Sequence, residues 1–338
     1  MRRVSIHPRG NRGVALMIVL WAVSLISVAM IGLAGLLQRQ LGQEVAALQN
    51  ARALLVAESG VQMALNPELF PADMEAASRE LSARLQEGWR GPRGGVEVRF
   101  IVDKYAEGGA EAGLTGEEGK MNLNALLLGD RNKARRILTN LFSGWEVNAT
   151  TSSMVIDALL DWTDADDMTT GTEESTEDYA RIGKSGPRNG PFLRIEEVEQ
   201  VRGWPELVKE AREGPRGADW RKKFTIFGNG QLSLMTADED VIEAWLDLRP
   251  GTAANFMRAR LGPDLIPGTQ DDVVNLALLP ATAATATTAT NQFSTGWGDL
   301  WRVTSTGSVG GVKRTLVALI SRNPPKVHSR WVAEETGR

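Results

Sequence analysis

Cysteine is absent from this 338-residue sequence, histidine occurs only at His7 and His328, and no acidic residue precedes Glu44. Without thiols, no disulfide can staple the fold and no thiolate chemistry is available. Two histidines exclude most zinc sites and leave any Ser/His/Asp arrangement dependent on His328. Proline is missing between Pro8 and Pro67, so no residue in that interval forces a helix to stop. Charge is missing between Arg12 and Arg39.

What fills the uncharged interval is apolar. Val14 to Leu37 (VALMIVLWAVSLISVAMIGLAGLL) is 24 residues long. At about 1.5 Å per residue this run crosses a hydrocarbon layer of about 30 Å, so it is expected to be a membrane helix. A cleaved secretory signal has a shorter apolar core of roughly 7 to 15 residues. Ser27-Val28-Ala29 imitates its cleavage site, but the run continues to Leu37. Arg2, Arg3, Arg9 and Arg12 precede the run, which predicts a cytoplasmic N-terminus and an exported remainder. Without those four arginines the formal charge falls from −4 to −8. So acidic a head argues against nucleic acid and anionic lipid surfaces as partners.

The helix is predicted to continue beyond the membrane. Leu41, Val45, Leu48 and Leu55 recur at spacings of four, three and seven, an apolar stripe suited to packing on a globular head, and Pro67 is the first forced stop. In the head, Val96 to Val102 alternates like a strand, and a glycine-rich turn is expected from Glu107 to Gly119. Asp130 to Phe142, Ser152 to Leu160, Arg194 to Val201, Glu206 to Glu213 and the two halves of Asp238 to Arg260 read as helices. Their helix-glycine-helix units admit a helix-hairpin-helix reading, but neither has the second glycine and the surroundings are acidic, which favours simple packing. Phe224 to Met235 reads as a hairpin around Gly228-Asn229-Gly230, and Pro280 to Thr290 as an exposed small-residue connection. Leu300 to Val309 and Val312 to Ser321 form a hairpin around Gly310-Gly311, with Trp301, Val303, Leu316, Ala318 and Ile320 offered to a core. Paired with Val96 to Val102, it would give an antiparallel sheet on the helix stripe, and the tail after Pro324-Pro325 would be loose.

One polar segment stands out. Asp161 to Asp178 holds eight acids in 18 residues and no cation. It is either a solvated loop or a set of oxygens around a hard cation, which takes six to eight such ligands. The spacing is not that of an EF-hand, since the twelfth position counted from Asp164 is Ser175.

Several motifs together resemble the type II secretion minor pseudopilin K family: the junction Arg12-Gly13-Val14-Ala15-Leu16-Met17, the Gly119-Lys120-Met121-Asn122-Leu123-Asn124 segment, and Leu159-Leu160-Asp161-Trp162-Thr163-Asp164-Ala165-Asp166-Asp167 followed by an acidic loop and Tyr179. Pro187-Arg188-Asn189-Gly190-Pro191 and Val201-Arg202-Gly203 agree in part, while Ser233 to Ala237 keeps only the Thr-Ala of the family's N-x-N-T-A segment. The resemblance implies an α/β fold: a pilin-like long N-terminal helix packed on an antiparallel sheet, with a large, mostly helical insertion. It divides the chain into a leader (1–13), the helix (14–66), a first pilin-like part (67–119), the insertion (120–279) and a C-terminal hairpin (280–338). It also implies cleavage by a prepilin peptidase after Gly13 and methylation of Val14. Calcium would bind among Asp164, Asp166, Asp167, Glu177 and Asp178. The implied role is structural rather than enzymatic: a single-pass protein of the bacterial inner membrane, its head periplasmic, meeting other minor pseudopilins at the filament tip above an inner-membrane secretion platform.

Most pilin-like proteins have glutamate at the fifth mature position, where this chain has Ile18. A carboxylate inside an apolar helix needs a partner such as the amine of a neighbouring subunit. A subunit with nothing above it has no such need. A type IV pilus or competence-type minor pilin fits the N-terminal segment equally, and a membrane-anchored carboxylate hydrolase would need two carboxyl groups across a cleft.

Overall fold

The computed structural model describes residues 12–65, 95–103, 108–165, 179, 186–214, 219–263, 272–280, 292–296, 298–322 and 324–333. The first element is a single unbroken helix, α1 (Arg12–Leu65), of 54 residues. At the usual rise it is roughly 80 Å long. It ends two residues before Pro67, as expected for a residue that cannot continue a helix.

A five-stranded sheet receives the C-terminal part of α1. Its strands are β1 (Gly95–Asp103), β2 (Gly108–Gly116), β7 (Leu300–Val309), β8 (Val312–Arg322) and β9 (Pro325–Val332), in that spatial order and antiparallel throughout. The β7–β8 hairpin turns at Gly310 and Gly311, both at positive φ, as its sequence requires. Trp301, Val303, Leu316, Ala318 and Ile320 are all buried.

The rest of the sheet differs from expectation in three ways. The segment read as a glycine-rich turn is β2, a strand paired on both sides, where two ladders of backbone hydrogen bonds outweigh the poor strand preference of glycine and alanine. β1 therefore meets β2 instead of the C-terminal hairpin. The tail is not loose: β9 pairs with β8, and Pro325 opens the strand at the sheet edge, where its missing N–H costs no ladder bond.

Between β2 and β7 lies a mostly helical layer: α2 (Leu123–Leu127), α3 (Arg131–Gly144), α4 (Ala149–Thr163), α5 (Trp204–Glu213), α6 (Glu239–Trp245) and α7 (Ala254–Arg260). Ile195–Gln200 is 3-10 rather than α-helical. One contiguous buried cluster runs from Met121 to Leu279. Aromatic rings dominate it: Trp204 packs edge-on to Trp220 at 5.4 Å, and Trp162 stacks on Phe192 at 5.8 Å.

The hairpin expected around Gly228-Asn229-Gly230 does not form. The turn is present, with Gly228 and Gly230 at positive φ, but its flanks part. Strand β4 (Phe224–Thr225) runs parallel to β3 (Met121–Asn122), and β5 (Leu232–Ser233) runs parallel to β6 (Phe293–Ser294). Distant partners win because Asn122 Nδ2 donates to the Phe227 and Gly228 carbonyls at 2.9 and 3.0 Å, tying the turn to the start of α2. The segment 281–290, expected as an exposed connection, lies outside the described residues.

Candidate assembly site

Two halves of α1 have different surroundings. From Val14 to Leu48 its described apolar side chains are exposed, and Leu16–Gln62 contains a stretch long and apolar enough to cross a membrane. Ser24 and Ser27 donate their hydroxyls to the Leu20 and Val23 carbonyls, both at 2.8 Å, so neither brings an unsatisfied hydroxyl to an apolar environment.

The C-terminal half meets the sheet, but not through the expected stripe. Among the described side chains here, Ala53, Ala57, Gly60, Val61 and Ala64 are the buried positions. Leu41, Val45, Leu48 and Leu55 point away, each more than half exposed (52–67%). Small residues win the sheet-facing side because helix and strand approach to backbone contact: a Cβ added at Gly307 of β7 would lie 2.0 Å from the Ala53 carbonyl oxygen and 2.6 Å from the Ala57 nitrogen. Leucine cannot fit such a seam. Polar contacts fix it before and along its length, Arg314 Nε donating to Asn50 Oδ1 at 2.8 Å and Arg330 Nη1 to Glu58 Oε1 at 2.7 Å.

Where β2 gives way to the helical layer, Glu117 is fully buried. Its carboxylate accepts a two-pronged pair from Arg302 of β7, at 2.8 and 2.6 Å, a bond from the Thr225 hydroxyl of β4 at 2.6 Å, and one from Lys120 at 3.0 Å. Burial by itself pushes the Glu117 carboxyl up. The charges and hydrogen bonds of Lys120, Arg302 and Thr225 outweigh it and bring the pKa from 4.5 down to about 2. One carboxylate thus joins the sheet to the helical layer. A second, partly buried bridge closes that layer on itself: Lys223 spans Asp238 and Asp240 at 2.7 and 2.8 Å, and Asp240 also accepts the Trp145 indole N–H at 2.8 Å.

The expected site residues fare unevenly. Gly13 and Val14 lie in the first turns of α1. Of the five expected calcium ligands, Asp164 alone falls among the described residues; Asp166, Asp167, Glu177 and Asp178 lie outside them. Asp164 caps the C-terminus of α4, and its carboxylate pairs with Arg131 at the start of α3, so a cation of the protein already stands there. Among the described residues no three His, Cys, Asp or Glu side chains gather as a metal site would require. Asp161 is buried on α4 and His328 is exposed on the edge strand β9. The asparagines of the Gly119 to Asn124 motif act structurally, as their sequence reading allows. Asn122 caps α2 by accepting from the Ala125 N–H, and Asn124 clamps both backbone polar atoms of Phe192, at 2.8 and 2.9 Å.

Comparison with known proteins assigns one segment of the chain and the fold. The family model for type II secretion system (T2SS), protein K matches residues 119–212, from the turn after Glu117 through α5. Over those residues the chain carries a type II secretion protein K domain. No curated protein matches the sequence. Among solved structures, a chain of the GspK-GspI-GspJ complex from the enterotoxigenic Escherichia coli type 2 secretion system superposes with a TM-score of 0.57 at 17% identity, covering 88% of this chain and 99% of that one. At that identity the likeness establishes the fold: a pilin-like helix and sheet carrying a helical layer. The protein K domain thus covers the first part of the layer that Glu117 ties to the sheet, α2 to α5. The apolar anchor fits a single-pass membrane component of a secretion system.

Sequence reasoning missed the Glu117 cluster and the small-residue seam. The seam had a signal, since Ala53, Ala57, Gly60 and Ala64 recur at spacings of four, three and four. The cluster had none, because its members are separated by up to 185 positions.

Proposed function

We propose that this chain is a structural minor pseudopilin, without catalytic activity, that joins other minor pseudopilins to initiate and cap the tip of the type II secretion pseudopilus. The observation that carries this reading is the geometry of α1. Its lower part stands clear of the head with every described apolar side chain free to meet neighbouring helices. Its upper part is seated on the sheet through small residues, which leaves Leu41, Val45, Leu48 and Leu55 unoccupied on another side. The lack of any acid before Glu44 supports a terminal position, because a subunit with none above it has no amine to neutralise. The helical layer supplies bulk that opposes addition of a further subunit. That the solved relative is crystallised with GspI and GspJ supports a hetero-oligomeric tip.

On this reading a prepilin peptidase cuts after Gly13, Val14 becomes the methylated terminus, and the chain sits in the inner membrane, N-terminus cytoplasmic and head periplasmic, above the secretion platform. Serine at Leu48 and Leu55 tests it. Both side chains are exposed, so the isolated chain should keep its stability within about 0.5 kcal/mol. Co-purification with the other minor pseudopilins from membranes should be lost. Retained co-purification would count against the stripe as the assembly face.

Calcium at Asp164, Asp166, Asp167, Glu177 and Asp178 belongs to the same proposal, supported by the density of uncompensated acids between Asp161 and Asp178. A bound ion would compete with Arg131 for Asp164. Calorimetric titration and melting with and without calcium test this; no heat and no shift would remove calcium from the account.

A further inference from the structure

The corner where α2 passes into α3 carries features that assembly through α1 does not use. Asn124 holds Phe192 by both backbone atoms. This leaves Leu128, one turn further on, and Leu193, the residue after Phe192, as large apolar side chains that are 55% and 62% exposed. Next to Leu128, Gly129 and Asp130 open a cavity of about 190 Å³ that Lys133, Trp245 and Gln292 also line.

Among the described residues Lys133 forms no ion pair in this cavity. Its ammonium lies 4.8 Å from the centre of the Trp245 ring and donates to Gln292 Oε1 at 2.6 Å. Among the described residues, no carboxylate is within ion-pair distance of it. Asp130 lines the same cavity, but its carboxylate caps α3, accepting from the Asn132 and Lys133 backbone N–H groups at 2.8 and 3.1 Å. Arg131, the neighbouring cation, is taken by Asp164. Partial burial and the repulsion of Arg136 push the Lys133 amine down, and the charge of Asp130 offsets them only in part.

We infer that this corner is a docking surface for a segment of another protein that places one carboxylate in the cavity against Lys133 and apolar side chains on Leu128 and Leu193. Charge complementarity selects that occupant. A cation half withdrawn from water, with an indole on one face and protons to spare, is completed by a carboxylate. Leu128, next in the chain to Gly129 of the lining, and Leu193, tied to α2 through the Phe192–Asn124 clamp, supply exposed apolar area at this corner. This inference is independent of the assembly reading, because none of its residues lies on α1 or the sheet.

The test uses the full chain in neutral-detergent micelles and fluorescence anisotropy of labelled, acetylated peptides with two leucines and one glutamate at varied spacings, each beside its glutamine counterpart. At least one glutamate peptide should bind, about fivefold or more tighter than its glutamine form, in keeping with a partly exposed ion pair. Lys133→Gln should remove that preference and Lys133→Arg should keep it. Leu128→Ser and Leu193→Ser should weaken both peptides, and Arg136→Gln should leave binding within about twofold. Equal binding of the glutamate and glutamine forms, an unaltered preference in Lys133→Gln, or no binding by any glutamate peptide would overturn the inference.

Discussion

Replacing Glu117 by glutamine should be among the most damaging single changes in the head, although it is nearly isosteric. The native carboxylate is fully buried and meets two cations and a hydroxyl. Glutamine leaves Arg302 and Lys120 buried around a neutral amide that can accept only part of their donors. Breaking a buried pair from one side costs about 3–5 kcal/mol, because an uncompensated charge remains behind. The depressed acidity gives an independent figure. A folded pKa of about 2 against an ordinary 4.5 corresponds to roughly 3 kcal/mol at about 1.4 kcal/mol per unit. Because the folded pKa is the lower one, this stability is fully present above about pH 4.5 and is lost as pH falls toward about 2. Denaturant unfolding of the full chain in micelles, followed by tryptophan fluorescence at pH 7 and down through this window, reads both quantities. Glu117→Gln should lose about 3–5 kcal/mol at pH 7 and show a shallower decline between pH 4.5 and 2. A loss below about 1 kcal/mol, or a decline as steep as that of the unaltered chain, would refute the reasoning.

Two further changes probe the junctions on either side of that cluster. Gly307→Ala places a methyl group 2.0 Å from the Ala53 carbonyl oxygen, and backbone cannot yield as a side chain can. It should destabilise the docking of α1 by about 1–3 kcal/mol, visible as a lower melting temperature with α-helical content retained. Asn124→Ala should cost about 2–4 kcal/mol by leaving the Phe192 N–H and carbonyl without their partner. Hydrogen exchange should show the Phe192 amide losing protection, and unchanged protection would contradict the clamp.

Local patterns in the sequence survived well. An unbroken α1, the β7–β8 hairpin and the α3 and α4 helices all follow from short-range periodicity, glycine placement and the lack of proline. Long-range choices did not. Whether Phe224 to Met235 closes on itself depends on competition from β3 and β6, about a hundred and about sixty positions away, and no local rule weighs that competition. The face of α1 was misjudged for a related reason. Apolar periodicity marks a surface that prefers not to meet water, without saying which partner covers it. Here the head takes the small residues, since only they admit strand backbone, and the larger stripe remains exposed. Glu117 belongs to the same class of failure. Its importance lies in the convergence of β2, β4 and β7, which the order of residues along the chain conceals.

The most direct test of a pseudopilin role is the N-terminal sequence of the protein extracted from membranes, produced with and without a prepilin peptidase. The account predicts peptidase-dependent cleavage between Gly13 and Val14, leaving an N-methylated valine. An intact leader in the presence of the peptidase, or cleavage near Ala29, would contradict it.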